Sequence, residues 1–200
     1  MKSLKVLMLN GSPHANGNTA VALREMEAVF KENGVEAETV VLGNRAIRGC
    51  VACGACVKAG KCVFDDAVNE LAPKFEAADG LVIASPVYYA SANATLIACL
   101  DRLFHSTSFD KTMKVGASVV CARRGGCSAT FDELNKYFTI SGMPVFLPIS
   151  ASSAAILCTS TVSPLGSVGS ATAVSSISMA ISWLVTKCCC SSAVVQFSYH

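Results

Sequence analysis

The chain has 200 residues, 52% hydrophobic and 15% charged, with 16 basic against 14 acidic residues for a net charge of +2. That length supports one compact domain with a sizeable core, and so small a positive surplus excludes a grip on a phosphate backbone, so nucleic acid is not an expected partner. The 11 cysteines would mark a disulfide scaffold only in a much shorter secreted chain. The opening apolar run breaks at Asn10-Gly11-Ser12-Pro13, short of the core of a secretory leader, and a reducing cytoplasm is the expected setting for these thiols.

Taken in chain order, the pattern alternates strand and helix. Lys5 to Leu9 is a short apolar run stopped by a Gly/Ser/Pro/Asn loop, as a buried parallel strand would be. Val21, Leu23, Met26, Val29 and Phe30 recur at helical spacing from Thr19 to Asn33, with Asn18 or Thr19 as N-cap and Gly34 as the stop. Val35 to Leu42 reads as a second strand, Asp66 to Ala78 as a helix despite Pro73, and Leu81 to Ala84 as a third strand opening into Ser85-Pro86-Val87-Tyr88-Tyr89. Ala92 to Phe104 is helical, Val115 to Cys121 a fourth strand, Phe131 to Ser141 a helix and Val145 to Leu147 a fifth strand. Such alternation gives a doubly wound α/β domain, a five-stranded parallel sheet with helices on both faces and ligands at the carboxyl ends of the strands.

Three loops fall on that rim. Gly11 to Thr19 joins the first strand to the first helix, so its N–H groups and hydroxyls converge on a helix N-terminus, a ready anion site. It has neither the lysine of a P-loop nor the spacing of a dinucleotide fingerprint, so a phosphate monoester held by neutral donors fits better, the alternative being a Gly/Asn-rich connection with no ligand. His14 has no partner carboxylate in view and reads as a loop residue near the ligand rather than a catalyst. Ser85 to Tyr89 and Cys121 to Gly126 follow the third and fourth strands and would frame a flat ring: the tyrosines stack, the glycine pair allows close backbone approach, and an arginine faces electron-rich ring atoms.

Cys50, Cys53, Cys56 and Cys62 form C-x2-C-x2-C-x5-C on the connection after the second strand, within a loop spanning 49–62. Three thiols at spacing three wrap one face of a cubane and a fourth closes it, with Gly49, Gly54 and Gly60 supplying bends. Zinc, which usually joins two separated cysteine pairs, and free redox-active thiols are the alternatives. Arg45, Arg48, Lys58 and Lys61 would offset a thiolate-rich centre or form a solvated face. Cys99 and Cys121 read as small buried hydrophobes.

These loops and the cysteine run, in this order, resemble the NADPH-dependent FMN reductase superfamily and, within it, the iron–sulfur flavoproteins, over roughly Leu4 to Leu147. The resemblance implies a flavodoxin-like fold with sheet order 2-1-3-4-5 and homo-oligomers, dimers or tetramers. It places FMN phosphate contacts on Ser12, Asn16, Asn18 and Thr19, with His14 beside them, and ring contacts on Pro86, Val87, Tyr88 and Tyr89, with Arg123, Arg124, Gly125 and Gly126 bordering the ring. No residue carries the chemistry itself; the flavin does. The implied activity is an FMN-dependent oxidoreductase that takes electrons from NAD(P)H or another donor and passes them to a small-molecule or protein acceptor, with a [4Fe–4S] cluster on Cys50, Cys53, Cys56 and Cys62 as relay. A non-enzymatic electron carrier and a thiol or zinc redox-sensing module are the competing readings.

The flavodoxin-like domain is expected over 1–150. Of the 30 charged residues only Lys187 lies beyond Lys136, and 151–200 is rich in Ser, Ala, Val and Thr. The superfamily continues past its fifth strand into a charged amphipathic helix; this chain offers a Ser/Ala-rich segment, read as an out-of-frame or otherwise altered terminus. Ala171 to Val185 is too short and too serine-rich for a membrane anchor.

Overall fold

The computed structural model describes residues 3–145 and the backbone of Leu157–Thr159. Strand β1 (Lys5–Asn10) leads into α1 (Asn18–Glu32) and β2 (Glu36–Val41); α2 (Ala55–Ala59) and α3 (Ala67–Ala77) precede β3 (Gly80–Tyr88). A short β4 (Ser91–Ala92), α4 (Ala94–Ser106), β5 (Val115–Ala122), α5 (Cys127–Ile140) and β6 (Leu157–Thr159) complete the order. The sheet runs β2-β1-β3-β5-β6, parallel throughout, while β4 folds back antiparallel on the end of β3. This is a flavodoxin-like sheet with the expected order in its first four places.

Period-two alternation splits each central strand between two cores. Leu7, Leu9, Leu81, Ile83, Val120 and Ala122 face α3, α4 and α5, where they meet Leu71, Phe75, Leu96, Leu100, Leu134 and Phe138. Val6, Met8, Val82, Ala84, Val119 and Cys121 face α1 through Leu23, Met26, Val29 and Phe30. Cys99 and Cys121 are buried, as their apolar surroundings require.

Several boundaries move. Helix α1 is capped by Gly17, not by Asn18 or Thr19, which lie inside the helix. Gly34, at φ +70°, ends it as expected. Strand β3 runs on to Tyr88, so what reads as a loop is the first arm of a hairpin: Tyr89 and Ala90 take φ 51° and 60°, the conformation of a tight primed turn. Helix α5 begins four residues earlier than Phe131, because Gly126, at φ +93°, turns the chain directly into it. The short α2 inside the cysteine loop has too few residues to show a period.

Leu157–Thr159 lies at the edge of the sheet beside β5; of the expected fifth strand, Val145 to Leu147, only Val145 is among the described residues. Val145 makes a single parallel bridge to Gly116, whereas Leu157–Thr159 pairs with Val120, Cys121 and Ala122 further along the same edge of β5. The stretch Ala171 to Val185, the Cys188 to Cys190 run and the remainder of 151–200 apart from that strand lie outside the described residues. Among the described residues no helix is long and apolar enough to cross a membrane.

A Cβ on Gly116 would stand 2.5 Å from the ring of the fully buried Phe138, so β5 and α5 meet there with no room for a side chain. Gly116→Ala is expected to destabilise the domain by about 1–3 kcal/mol through overpacking. Urea denaturation reads this as a lowered midpoint; an unchanged midpoint would show that α5 can shift away from the sheet at no cost.

Candidate functional site

Because β1, β3 and β5 are parallel neighbours, the loops at their carboxyl ends lie side by side. Gly11 donates its N–H to the Ala84 carbonyl at 2.8 Å, and a Cβ on it would meet Leu96 at 2.8 Å, so the first loop leaves the sheet pressed against the start of α4. The loop then folds on itself. Ser12 N–H donates to Asn10 Oδ1 at 2.9 Å, His14 N–H to Ser12 Oγ at 3.2 Å, and Gly17 N–H to the His14 carbonyl at 3.2 Å. From the far side Asn44 Nδ2 donates to the Pro13 carbonyl at 2.7 Å, and Gly43 sits so close that a Cβ there would lie 2.2 Å from the Ser12 backbone. Ser12 and Thr19 are buried, while His14, Asn16 and Asn18 face solvent. The result is a fixed concave loop over a helix N-terminus that no side chain caps, the arrangement in which backbone N–H groups and the helix dipole favour an anion.

The next loop is built as rigidly. Asn93 caps α4, its Oδ1 accepting from Thr95 N–H at 2.8 Å, while its own N–H donates to the fully buried Ser85 Oγ at 2.9 Å. Glu133, reaching from α5, accepts from Ser91 Oγ at 2.9 Å and from Ala92 N–H at 2.9 Å. The hairpin therefore projects Tyr88 and Tyr89 outward, and Tyr89 is wholly exposed. Neither tyrosine packs into the core. Gly126 closes the rim: a Cβ there would lie 2.8 Å from Ala90 Cα and 3.2 Å from Val87, so the β5–α5 loop touches the hairpin. Arg123, Arg124 and Gly125 are exposed beside it.

The cysteine run forms a second site. Cys50, Cys53, Cys56 and Cys62 all line one small cavity, together with Phe64, Arg102, His105 and Ser106. Gly54 and Gly60, at φ +69° and +66°, bracket α2 and provide the bends that carry Cys56 into it. Two N–H groups already point at sulfur: Ala52 N–H to Cys50 Sγ at 3.5 Å and Arg102 Nε to Cys62 Sγ at 3.2 Å. Among the described residues no three His, Cys, Asp or Glu side chains converge on one point as ligands of a single ion.

The charge beside these thiols comes from a residue that sequence reasoning passed over. Arg45 pairs with Glu70 on the surface, and Arg48, Lys58 and Lys61 are exposed. Arg102, 1% exposed, instead donates to both Asp66 oxygens at 2.6 and 2.9 Å, to the Phe64 carbonyl at 3.2 Å and to the Arg48 carbonyl at 3.1 Å. Burial pushes its guanidinium down, but the bonds and charge of Asp66 and Cys62 more than offset this and hold it above its ordinary value. Asn69 secures the same turn, accepting from Cys62 N–H at 3.1 Å and donating to the Cys62 carbonyl at 3.0 Å. A charged residue in phase with the buried Cys99, Leu103 and Ser106 of α4 was the available signal.

A helix start with no side-chain cap and a hairpin with outward aromatics, both at the carboxyl rim of a flavodoxin-like sheet, provide the setting of a mononucleotide-binding oxidoreductase. The chain belongs to the NADPH-dependent FMN reductase family, whose pattern it matches over residues 4–156. It is 37% identical over 146 residues to an iron-sulfur flavoprotein of Methanosarcina thermophila, covering 71% of this chain and 76% of that one. It is 34% identical over 145 residues to an iron-sulfur flavoprotein of Methanocaldococcus jannaschii, covering 71% and 75%. A solved archaeal flavodoxin superposes with a TM-score of 0.52 at 14% identity over 77% of this chain and 81% of that one, a likeness of fold.

Cys99 lies one turn before Arg102 and is fully buried, and desolvation pushes its thiol from the ordinary 9.0 up to about 12. Because the folded thiol is the weaker acid, its contribution to stability is intact below pH 9 and is lost as pH rises toward 12. Brief iodoacetamide treatment of the metal-free protein at pH 8 is expected to alkylate the exposed Cys50 and Cys53 and to spare Cys99 until denaturant is added. Peptide mapping reads the pattern, and rapid native labelling of Cys99 would contradict its burial.

Proposed function

We propose that this FMN oxidoreductase passes electrons between a donor such as NAD(P)H and an acceptor through two centres, FMN on the strand rim and a [4Fe–4S] cluster on Cys50, Cys53, Cys56 and Cys62. The observation that carries the reading is that all four thiols line one cavity without converging on a single point. That arrangement suits a polynuclear centre, and four soft thiolates with N–H donors aimed at two of them are its ligand chemistry. Bound FMN would accept two electrons as a hydride equivalent and the cluster would carry them singly, which makes the pair a two-to-one electron converter.

The residues have separable tasks in this reading. Ser12, Asn16, Asn18 and Thr19 with the start of α1 bind the phosphate, and His14 shields its open side. Pro86, Val87, Tyr88 and Tyr89 lie against the ring, with Arg123 to Gly126 along its edge. Glu133 and Asn93 fix the hairpin so that the ring surface is in place before the cofactor arrives. Preorganisation of this kind spares binding the entropy of ordering a loop. The acceptor is a small molecule or a protein, and the chain works as a homo-oligomer in reducing surroundings that keep the thiols available.

Thr19→Val removes a buried hydroxyl from the phosphate loop, at a cost of about 1–3 kcal/mol if a phosphate oxygen is left without that donor. FMN affinity is expected to fall several-fold or more in a fluorescence-quenching titration. An unchanged dissociation constant would move the phosphate to another part of the rim.

Cys56→Ser replaces a soft thiolate with a harder, more basic and differently placed oxygen. In anaerobically purified protein iron and sulfide are expected to fall while FMN, held by other loops, stays bound. Wild-type iron content in that variant, or zinc without sulfide in the parent protein, would exclude the cluster.

A further inference from the structure

Arg102 stands at the centre of the thiol site, yet no aspect of holding a cofactor requires a buried arginine there. It is enclosed on α4 beneath the cysteine loop, and its guanidinium reaches both ends of that loop. It donates to the Arg48 carbonyl, two residues before Cys50, and to the Phe64 carbonyl, two residues after Cys62. Its remaining donors take the Asp66 carboxylate in a two-pronged pair and the Cys62 sulfur. Phe64 lies under it with ring centroid 5.1 Å from the guanidinium carbon, and Arg48 lies 5.1 Å from the same ring. Lysine has no planar fork and cannot satisfy this set of acceptors at once.

Resting on the reading of the thiols as an iron–sulfur site, we propose that Arg102 is the positioning and tuning residue of that site. Its Nε–H fixes the Cys62 sulfur, and its charge biases the centre toward its reduced state. The physical reason is direct. The reduced state carries one more negative charge than the oxidised, and a cation in a water-poor pocket favours the more negative partner of the couple. A hydrogen bond to a ligating sulfur acts in the same sense by drawing charge off the thiolate. Asp66 opposes the effect through its own charge while keeping the guanidinium in place, so the pair sets the potential and not only the shape.

The test uses full-length, anaerobically purified protein and reads the midpoint potential of the centre by EPR-monitored titration, with iron, sulfide and FMN measured alongside. Five proteins are compared: wild type, Arg102→Gln, Arg102→Lys, Asp66→Asn, and Arg102→Gln combined with Asp66→Asn. Arg102→Gln alone leaves Asp66 without its partner and is the less stable protein; the double change leaves no buried charge unpaired, and Asn at 66 retains a capping oxygen for α3, so the comparison holds if the single variant loads poorly. Arg102→Gln is expected to lower the potential relative to wild type, and the double variant to lower it relative to Asp66→Asn. The expected size is about tenfold in the one-electron equilibrium, which corresponds to about 59 mV. Arg102→Lys, retaining charge but not the fork, is expected to recover part of the shift.

Iron-loaded Arg102 variants at the potential of their Arg102-containing partners overturn the proposal. Loss of iron and sulfide in the double variant, with FMN retained and Asp66→Asn still loaded, supports the positioning role. Loss of FMN together with iron in both Arg102→Gln proteins assigns the residue to the fold as a whole and overturns it. Wild-type protein lacking iron and sulfide removes the cluster reading itself and this inference with it, an outcome visible before any variant is made.

Discussion

A parallel sheet covered on both faces must return its chain from the carboxyl edge to the amino edge after every strand, and this requirement organises the rest of the molecule. Each return begins with a loop on one rim, so the Gly11 to Thr19, Ser85 to Ala92 and Arg123 to Gly126 segments are neighbours by construction rather than by attraction for one another. Burial on both sides also explains why β1 is apolar at every position from Val6 to Leu9. With odd and even positions equally committed, a slip of one residue in β1 would exchange Leu7 and Leu9 with Val6 and Met8 between two differently shaped cores. The rim inherits its precision from that double commitment.

Within this frame the close contacts at the rim fall on glycines. Gly43 against Ser12, Gly11 against Leu96 and Gly126 against Ala90 each leave no room for a side chain. These approaches join β2, α4 and α5 to the loops that form the candidate flavin surface. They hold those loops against one another, with the carboxylate of Glu133 bonded beneath the hairpin.

The sequence carried the sheet well, because strand runs bounded by Gly, Pro and Asn and helices of ten or more residues leave periodic traces; β1, α1, β2, β3, α4 and β5 fall within a few residues of their expected positions. The grouping of the four cysteines was legible through their spacing, and the position of the candidate anion loop through its place between a strand and a helix. Other features left no local trace. A two-residue turn closed by non-glycine residues at Tyr89 and Ala90 does not announce a hairpin, and the Gly17 cap hides behind better capping residues at 18 and 19. The pairing of Leu157–Thr159 with β5 depends on a partner far back in the chain. Arg102 was missed because it interrupts an apolar helix face, and one charge among hydrophobes is ordinarily a surface residue with its stem buried. Here its acceptors are three loop positions and a carboxylate, from 36 to 54 residues away in sequence.

Helix α4 joins the two sites. Its cap, Asn93, bonds to Ser85 under the hairpin, and Arg102, nine residues on, bonds to Cys62. At about 1.5 Å per residue these anchor points stand about 13 Å apart along the axis. A helix is stiff over that length, and its buried face, Leu96, Cys99, Leu100 and Leu103, packs against the same strands that position the rim. The spacing between the hairpin and the thiol cavity is therefore set by helix geometry and core packing, not by the conformation of the cysteine loop. The loop contributes sulfur; the helix decides where that sulfur stands relative to the hairpin. This division explains how a segment with exposed Cys50 and Cys53 and only a five-residue helix of its own can present four thiols to one cavity. Its two ends are held by one buried guanidinium, and that guanidinium is held by the core.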